Sequence, residues 1–127
     1  MTSSNPQPIR IDVHARYLAE QSVPDAQRYA FAYTITITNT GDESVRLLSR
    51  HWVITDANNQ IKEVRGDGVV GEQPLIPPGH SYEYTSGAIL ETQVGTMEGS
   101  YQMRSASGRA FLAPIAPFIL SKPGTLH

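Results

Sequence analysis

The feature that most constrains this chain is a strict two-residue alternation of apolar and polar side chains near its start. The segment "IRIDVHARY", residues 9–17, has apolar or aromatic side chains at the odd positions and polar ones at the even positions. Successive side chains of a β-strand point to opposite faces, so this pattern is typical of a strand with one buried face. "RYAFAYTITITN", residues 28–39, repeats the pattern with aromatic and β-branched residues, which favour a pleated sheet.

Five further segments have strand-like composition, and turn-forming residues separate them. They are "SVRLLSRHWVITD", "IKEVR", "HSYEYTS", "GSYQMRS" and "RAFLAPIAPFIL". No segment shows the i, i+3, i+4, i+7 apolar spacing of an amphipathic helix over three turns. The sequence therefore predicts an all-β fold of about seven strands, a two-sheet antiparallel β-sandwich of the immunoglobulin or fibronectin type III-like kind. A closed barrel is the alternative.

Several residues give local expectations within this fold. Trp52 should be buried, and the unclear alternation of its segment indicates a β-bulge. Pro114 and Pro117 lack the N–H group that a ladder needs, so the last strand should lie at a sheet edge. Tyr101 is expected at a strand entry as a tyrosine corner bonded to a loop, and Ser86 is expected at a strand end.

The length of 127 residues suits one domain with its own core, and we expect a single domain over residues 1–127 with flexible tails at 1–7 and 121–127. The chain has no cysteine, which excludes thiolate chemistry and disulfides. Its formal net charge is −2 without a basic cluster, so nucleic acid is not an expected partner. It has no signal-peptide core and no apolar run approaching about 20 residues, so we expect a cytoplasmic protein that does not insert into membranes.

The stretch "VRGDGVVGEQPLIPPGH" contains the spacing G-x-G-x-x-G at Gly66, Gly68 and Gly71. In dinucleotide-binding proteins this motif precedes a helix whose N-terminus holds the pyrophosphate. Here three prolines at positions 74–78 exclude a helix, so we predict a strand-connecting loop that binds no dinucleotide. In an alternative interpretation, the N–H groups of this loop form a nest beside Arg65 that binds a phosphate anion weakly.

Patterns that would indicate catalysis are missing. The four histidines lie far apart, and Asp12 with His14 supplies only two ligands, so we expect no metal and no cofactor. No serine has the nucleophile-elbow pattern. Glu91 and Glu98 could lie near each other in space, but no pocket for acid–base work is evident around them. We therefore expect no enzymatic activity and assign no catalytic residues.

Three motifs together resemble the ApaG family. They are "GDGVVGEQP", "PGHSYEYTS" and "GTMEGSYQM", in the family's order and spacing, and the resemblance covers about residues 8–120. "HWVITDANNQ" resembles a further family segment, although Asn59 stands where the family has glycine. The resemblance implies a fibronectin type III-like sandwich in a small bacterial protein often encoded beside a diadenosine tetraphosphate hydrolase and linked to cobalt tolerance and magnesium efflux. Similar domains in eukaryotic proteins look like protein-interaction modules.

The function predicted from these features is a small non-enzymatic binding module that docks an unknown protein partner. The alternative is a phosphate or nucleotide sensor that uses residues 66–71 with Arg65. A phosphoanhydride hydrolase has the least support, because no carboxylate cluster for a catalytic metal is visible. An exposed apolar patch would favour the binding module, whereas convergent N–H groups with a cation would favour the sensor.

Overall fold

The computed structural model describes residues 8–125, which form eight strands. The strands are β1 (Ile9–Tyr17), β2 (Tyr29–Asn39), β3 (Val45–Asp56), β4 (Ile61–Asp67), β5 (Leu75–Ile76), β6 (Ser81–Leu90), β7 (Val94–Ser105) and β8 (Ala110–Ser121). Two three-residue 3-10 helices, Ala19–Gln21 and Pro24–Ala26, lie between β1 and β2. In the part of the chain that is described, no helix has the length and apolar character needed to span a membrane.

The strands form two separate antiparallel sheets. One sheet has the order β1-β2-β6, and the other has the order β4-β3-β7-β8, with β5 paired to the start of β3. The all-β, two-sheet sandwich is confirmed, and the two sheets do not close into a barrel. The strand missing from the predicted seven is β5, whose two residues are too few to show an alternation. The likeness to immunoglobulin or fibronectin type III domains stays a prediction.

The inner faces of the two sheets share one apolar core. Trp52 is 2% exposed, as expected, and its ring makes edge contacts with the rings of Tyr33, Tyr101 and Phe118. The odd-numbered residues of β1 and β2 face this core, as the alternation predicts. The even-numbered face of β2 is also buried at its start, because Leu18 covers the two alanines there.

Four local expectations can be compared with the structure. The pairing of β3 with β7 shifts register between Leu47 and Ser49, which confirms the bulge. β8 is an edge strand, as its two prolines predict. Ser86 was placed wrongly, because β6 continues through it to Leu90. The tyrosine corner is also wrong, because Tyr101 lies inside β7 and its hydroxyl bonds to another side chain in the core.

The predicted C-terminal tail, residues 121–127, starts with ordered structure. Ser121 is the last residue of β8, and the N–H of Lys122 donates to the carbonyl of Gln93 at 2.9 Å. The N–H of Thr125 then closes a turn onto Lys122. The tail predicted at residues 1–7 lies outside the described residues, and the single-domain assignment stays a prediction.

The two sides of the sandwich differ. On one side the edge strands β1 and β8 pack against each other. On the other side the edge strands β4 and β6 are separated by two cavities of about 290 Å³ each. This gap, bounded by residues 61–71 and 84–91, is called the β4–β6 opening below.

Candidate functional site

The glycine motif lies at one end of the β4–β6 opening and turns the chain, as predicted. The N–H of Val69 donates to the carbonyl of Glu72 at 2.8 Å, and the N–H of Glu72 donates back at 2.9 Å. Between them, Val70 and Gly71 both have positive φ, 48° and 80°. Two central residues with positive φ are the mark of a type I′ turn.

Position 68 requires glycine for two reasons, its positive φ and the lack of room for a Cβ atom. Its φ is 62°, and a Cβ atom there would lie 2.1 Å from the carbonyl oxygen of Glu72. Its N–H donates to the carbonyl of Leu48 at 2.8 Å, which joins the loop to β3. Gly66, in contrast, lies inside β4 and not in the turn.

The residues of the predicted anion site line two different cavities. Arg65 and Gly66 line a cavity of about 410 Å³ that reaches Ser100 of β7, whereas Gly71 lines one of the cavities of the β4–β6 opening. The guanidinium of Arg65 lies 3.5 Å from the carboxylate of Glu63. The N–H groups of Gly68, Val69 and Glu72 all donate to backbone carbonyls. Whether these residues bind an anion stays a prediction.

Arg50 is the cation that lies against the glycine motif, and the sequence analysis missed it. Its Nη1 donates to the carbonyls of Asp67 and Gly68, at 3.1 and 2.9 Å. A Cβ atom on Gly66 would lie 2.8 Å from the guanidinium nitrogens, so glycine leaves the room that Arg50 occupies. One signal in the sequence could have identified it: Arg50 lies two residues before Trp52, so the two side chains share one strand face. The bulge after Leu47 obscured this signal, because it interrupts the alternation along β3.

Arg50 is partly buried among hydroxyl groups. It lines the polar cavity of the β4–β6 opening together with Tyr33, Tyr84, Ser86 and the turn. Burial raises the pKa of Tyr33 and Tyr84 above the ordinary value, while the charge of Arg50 acts in the opposite direction. Among the described residues, Arg50 has no carboxylate within ion-pair distance. The cavity therefore combines a cation that has no ion-pair partner with hydroxyl groups and one acidic residue, Asp67.

The other cavity of the β4–β6 opening, called the apolar cavity below, has four aliphatic side chains in its lining beside Asp56, Gln60, Lys62 and Glu91. Ile61 and Ile89 line it from opposite edges, and their side chains are 65% and 41% exposed. Ile54 and Leu90 complete the apolar lining. The opening thus has a polar end around Arg50 and a more apolar end around Ile61 and Ile89.

The free edge of β6 faces this opening. Within residues 8–125, β6 pairs with β2 only, and the N–H of Asn39 in β2 donates to the carbonyl of His80. Backbone groups alternate in direction along an antiparallel strand, so the even-numbered residues of β6 bond to β2. The odd-numbered residues direct their N–H and carbonyl groups toward the opening. Those within the opening are Thr85, Gly87 and Ile89.

The remaining polar candidates lie apart from the β4–β6 opening or at its rim. His51 Nε2 lies 2.7 Å from Glu63 Oε1, and this hydrogen bond holds the pKa of Glu63 below its usual value. Asp12 pairs with Arg10 at 3.0 Å. Glu91 lines the apolar cavity, whereas Glu98 lies in β7. Within residues 8–125, no group of three or more histidine or acidic side chains is placed to hold a metal ion.

Comparison with known proteins shows similarity over nearly the whole length of the chain. A family described as the ApaG domain matches residues 19–105. The chain is 57% identical over 119 residues to Protein ApaG of Pseudomonas putida, which covers 94% of both chains. It is 54% identical over 127 residues to Protein ApaG of Azoarcus sp. strain BH72, which covers all of both. The crystal structure of the ApaA protein from Bordetella pertussis matches with a TM-score of 0.91 and 50% identity, over 94% of this chain and 98% of that one.

Proposed function

Because this chain belongs to the ApaG family, we propose that it is a small non-enzymatic binding module that docks a protein partner at the β4–β6 opening. The observation that carries the proposal is the free edge of β6 beside two exposed isoleucines, Ile61 and Ile89. A strand edge with unpaired N–H and carbonyl groups can accept another strand, and protein-recognition domains bind extended segments in this way.

The apolar cavity adds binding energy to this edge. A side chain that enters between Ile61 and Ile89 removes apolar surface of both residues from water. At the closed side of the sandwich, β1 and β8 already cover each other, so an added strand finds less access there. The β4–β6 opening is therefore the side of the sandwich that suits a protein partner best.

The phosphate or nucleotide sensor is the second candidate and has less support. A nest needs free N–H groups, and three in the loop at residues 68–72 already donate to carbonyls. Arg65, its expected cation, is paired with Glu63. The proposed module works in the cytoplasm without a cofactor, and any link to cobalt tolerance or magnesium efflux would act through the bound partner.

A photo-crosslinking amino acid placed at single surface positions tests the proposed surface. In cells that produce the protein, a crosslinker at position 89 should form a covalent adduct with a specific protein. The same crosslinker at position 112 is the control, because Leu112 is 62% exposed but lies in β8, at the far edge of the larger sheet. Ile61→Asp should lower the yield of the adduct at position 89. Adducts formed equally at both positions, or only at position 112, would contradict the proposal.

A further inference from the structure

We propose that Arg50 binds a carboxylate of the partner, so that the β4–β6 opening selects an extended segment with an acidic group at one position and an apolar residue about four positions away. This inference rests on the proposed function, because it assumes a protein partner at that opening. It adds the chemistry of the partner, which the free strand edge alone does not specify.

The first support is the hydrogen bonding of the Arg50 guanidinium. The two bonds from Nη1 to backbone carbonyls hold the group in place. Neither Nε nor Nη2 has a hydrogen-bond partner among the described residues. These two nitrogens share one edge of the planar guanidinium, which is the edge that binds both oxygens of a carboxylate. Arg50 is thus oriented by the protein while its bidentate edge stays available.

The second support is charge. Arg50 is the one cation among the described residues that line the polar cavity. Asp67 also lines this cavity, but its carboxylate is not within ion-pair distance of Arg50, and the other polar side chains there are hydroxyl groups. One positive charge matches the single negative charge of a carboxylate. A phosphate carries up to about two charges at neutral pH and is bound best by several cations or free N–H groups. Arg65, the other cation near the motif, is already paired with Glu63.

The third support is spacing along the edge of β6. Thr85 and Ser86 line the polar cavity with Arg50, whereas Ile89 and Leu90 line the apolar cavity. Four residues of an extended strand cover about 13 Å, and side chains four positions apart point to the same face. A single strand added to the edge of β6 can therefore place one carboxylate at Arg50 and one apolar side chain between the isoleucines.

Selection of peptides from a random displayed library on the immobilised full-length protein tests this inference. The expected peptides carry Asp or Glu at one position and an aliphatic or aromatic residue four positions away. Libraries displayed with a free or a blocked C-terminus distinguish a terminal carboxylate from a side-chain carboxylate. Selection on the Arg50→Gln variant should reduce the enrichment of acidic residues at least tenfold and leave the apolar preference. Selection on Arg65→Gln, the matched control, should retain both.

A second measurement changes the peptide instead of the protein. The acidic residue of a selected peptide is replaced by its amide, which should weaken binding to wild-type protein about tenfold and binding to Arg50→Gln hardly at all. Equal losses with both proteins would overturn the role of Arg50. Inorganic phosphate that displaces the peptide at lower concentration than acetate would show that the site prefers phosphate.

The outcomes also separate this inference from the proposed function. Peptides with the apolar residue but no acidic residue, whose binding Ile89→Asp abolishes, would overturn the role of Arg50 and leave the docking surface supported. A selection that enriches no peptide sensitive to Ile89→Asp would contradict both proposals.

Discussion

Val70 adopts a backbone conformation in the turn that valine disfavours. Its φ is 48°, a left-handed conformation that is rare for a β-branched residue, whereas type I′ turns favour asparagine or glycine there. Its side chain is 62% exposed, so burial offsets little of this unfavourable conformation. Because Val70 lines the cavity that holds Arg50, its side chain is placed where a bound partner would contact it.

We expect Val70→Asn to raise the free energy of unfolding by about 1 kcal/mol, because asparagine adopts left-handed backbone more easily than valine. Urea denaturation of the two proteins measures the difference. The same substitution should weaken peptide binding, since the exposed apolar side chain is lost from the cavity wall. A variant that is less stable than the wild type would show that valine is not strained at this position.

Gly68→Ala gives the opposite expectation at the same turn. It should lower the free energy of unfolding by about 2 kcal/mol, because positive φ and the close carbonyl of Glu72 both oppose a Cβ atom. Gly71→Ala is the matched control, since its φ is also positive but no atom lies within 4 Å of the added Cβ. The difference between the two variants measures the contribution of the close contact. Equal losses would mean that backbone conformation alone explains the role of Gly68.

At the scale of elements, a hydrogen bond between two tyrosine hydroxyls joins the two sheets inside the core. The hydroxyls of Tyr84 in β6 and Tyr101 in β7 lie 2.5 Å apart, and both side chains are buried. Each hydroxyl is the hydrogen-bond partner of the other, so neither of these two phenol groups is buried unpaired. This bond replaces the loop contact that the sequence analysis expected for Tyr101.

A double-mutant cycle should reveal this pairing. Tyr84→Phe and Tyr101→Phe are each expected to lower the free energy of unfolding by about 1–3 kcal/mol, because each leaves one buried hydroxyl without its partner. The double variant should lose less than the sum of the two, with a coupling of about 1 kcal/mol. Chemical denaturation of the four proteins measures the cycle. Strict additivity would show that the two hydroxyls do not depend on each other.

At the scale of the whole molecule, buried phenols connect stability to alkaline pH. Burial raises the pKa of Tyr33, Tyr84 and Tyr101 above the ordinary tyrosine value of 10.0. The folded state therefore keeps protons that the unfolded state releases above about pH 10. These groups contribute their full stabilisation below that pH, and the contribution is lost as the pH rises further.

We accordingly expect the free energy of unfolding to fall steadily above about pH 10. Trp52, the only tryptophan of the chain, is buried, so its fluorescence reports the folded state. Phenolate absorbance from Tyr33, Tyr84 and Tyr101 should appear together with the loss of the native Trp52 emission. The Tyr84→Phe/Tyr101→Phe double variant should show a weaker decline. Ionisation of all tyrosines near pH 10 with unchanged Trp52 emission would contradict the expectation.

The sequence by itself determined the long strands, because the alternation of apolar and polar side chains is visible within each segment and does not depend on which strand pairs with it. It also determined the edge position of β8, since proline has no N–H to donate to a neighbouring strand. It determined that the chain turns after β4, since the prolines that follow exclude a helix there. β5 escaped detection because two residues carry no period.

Only the tertiary structure decided which residues meet at the candidate site. Arg50 reaches the glycine motif because β3 and β4 pair with Arg50 opposite Gly66, and the bulge after Leu47 sets which face Arg50 occupies. The contact between Tyr84 and Tyr101 and the opening between β4 and β6 depend on how two sheets stack. Register and stacking join residues that are distant in the chain, and no local pattern records those pairings.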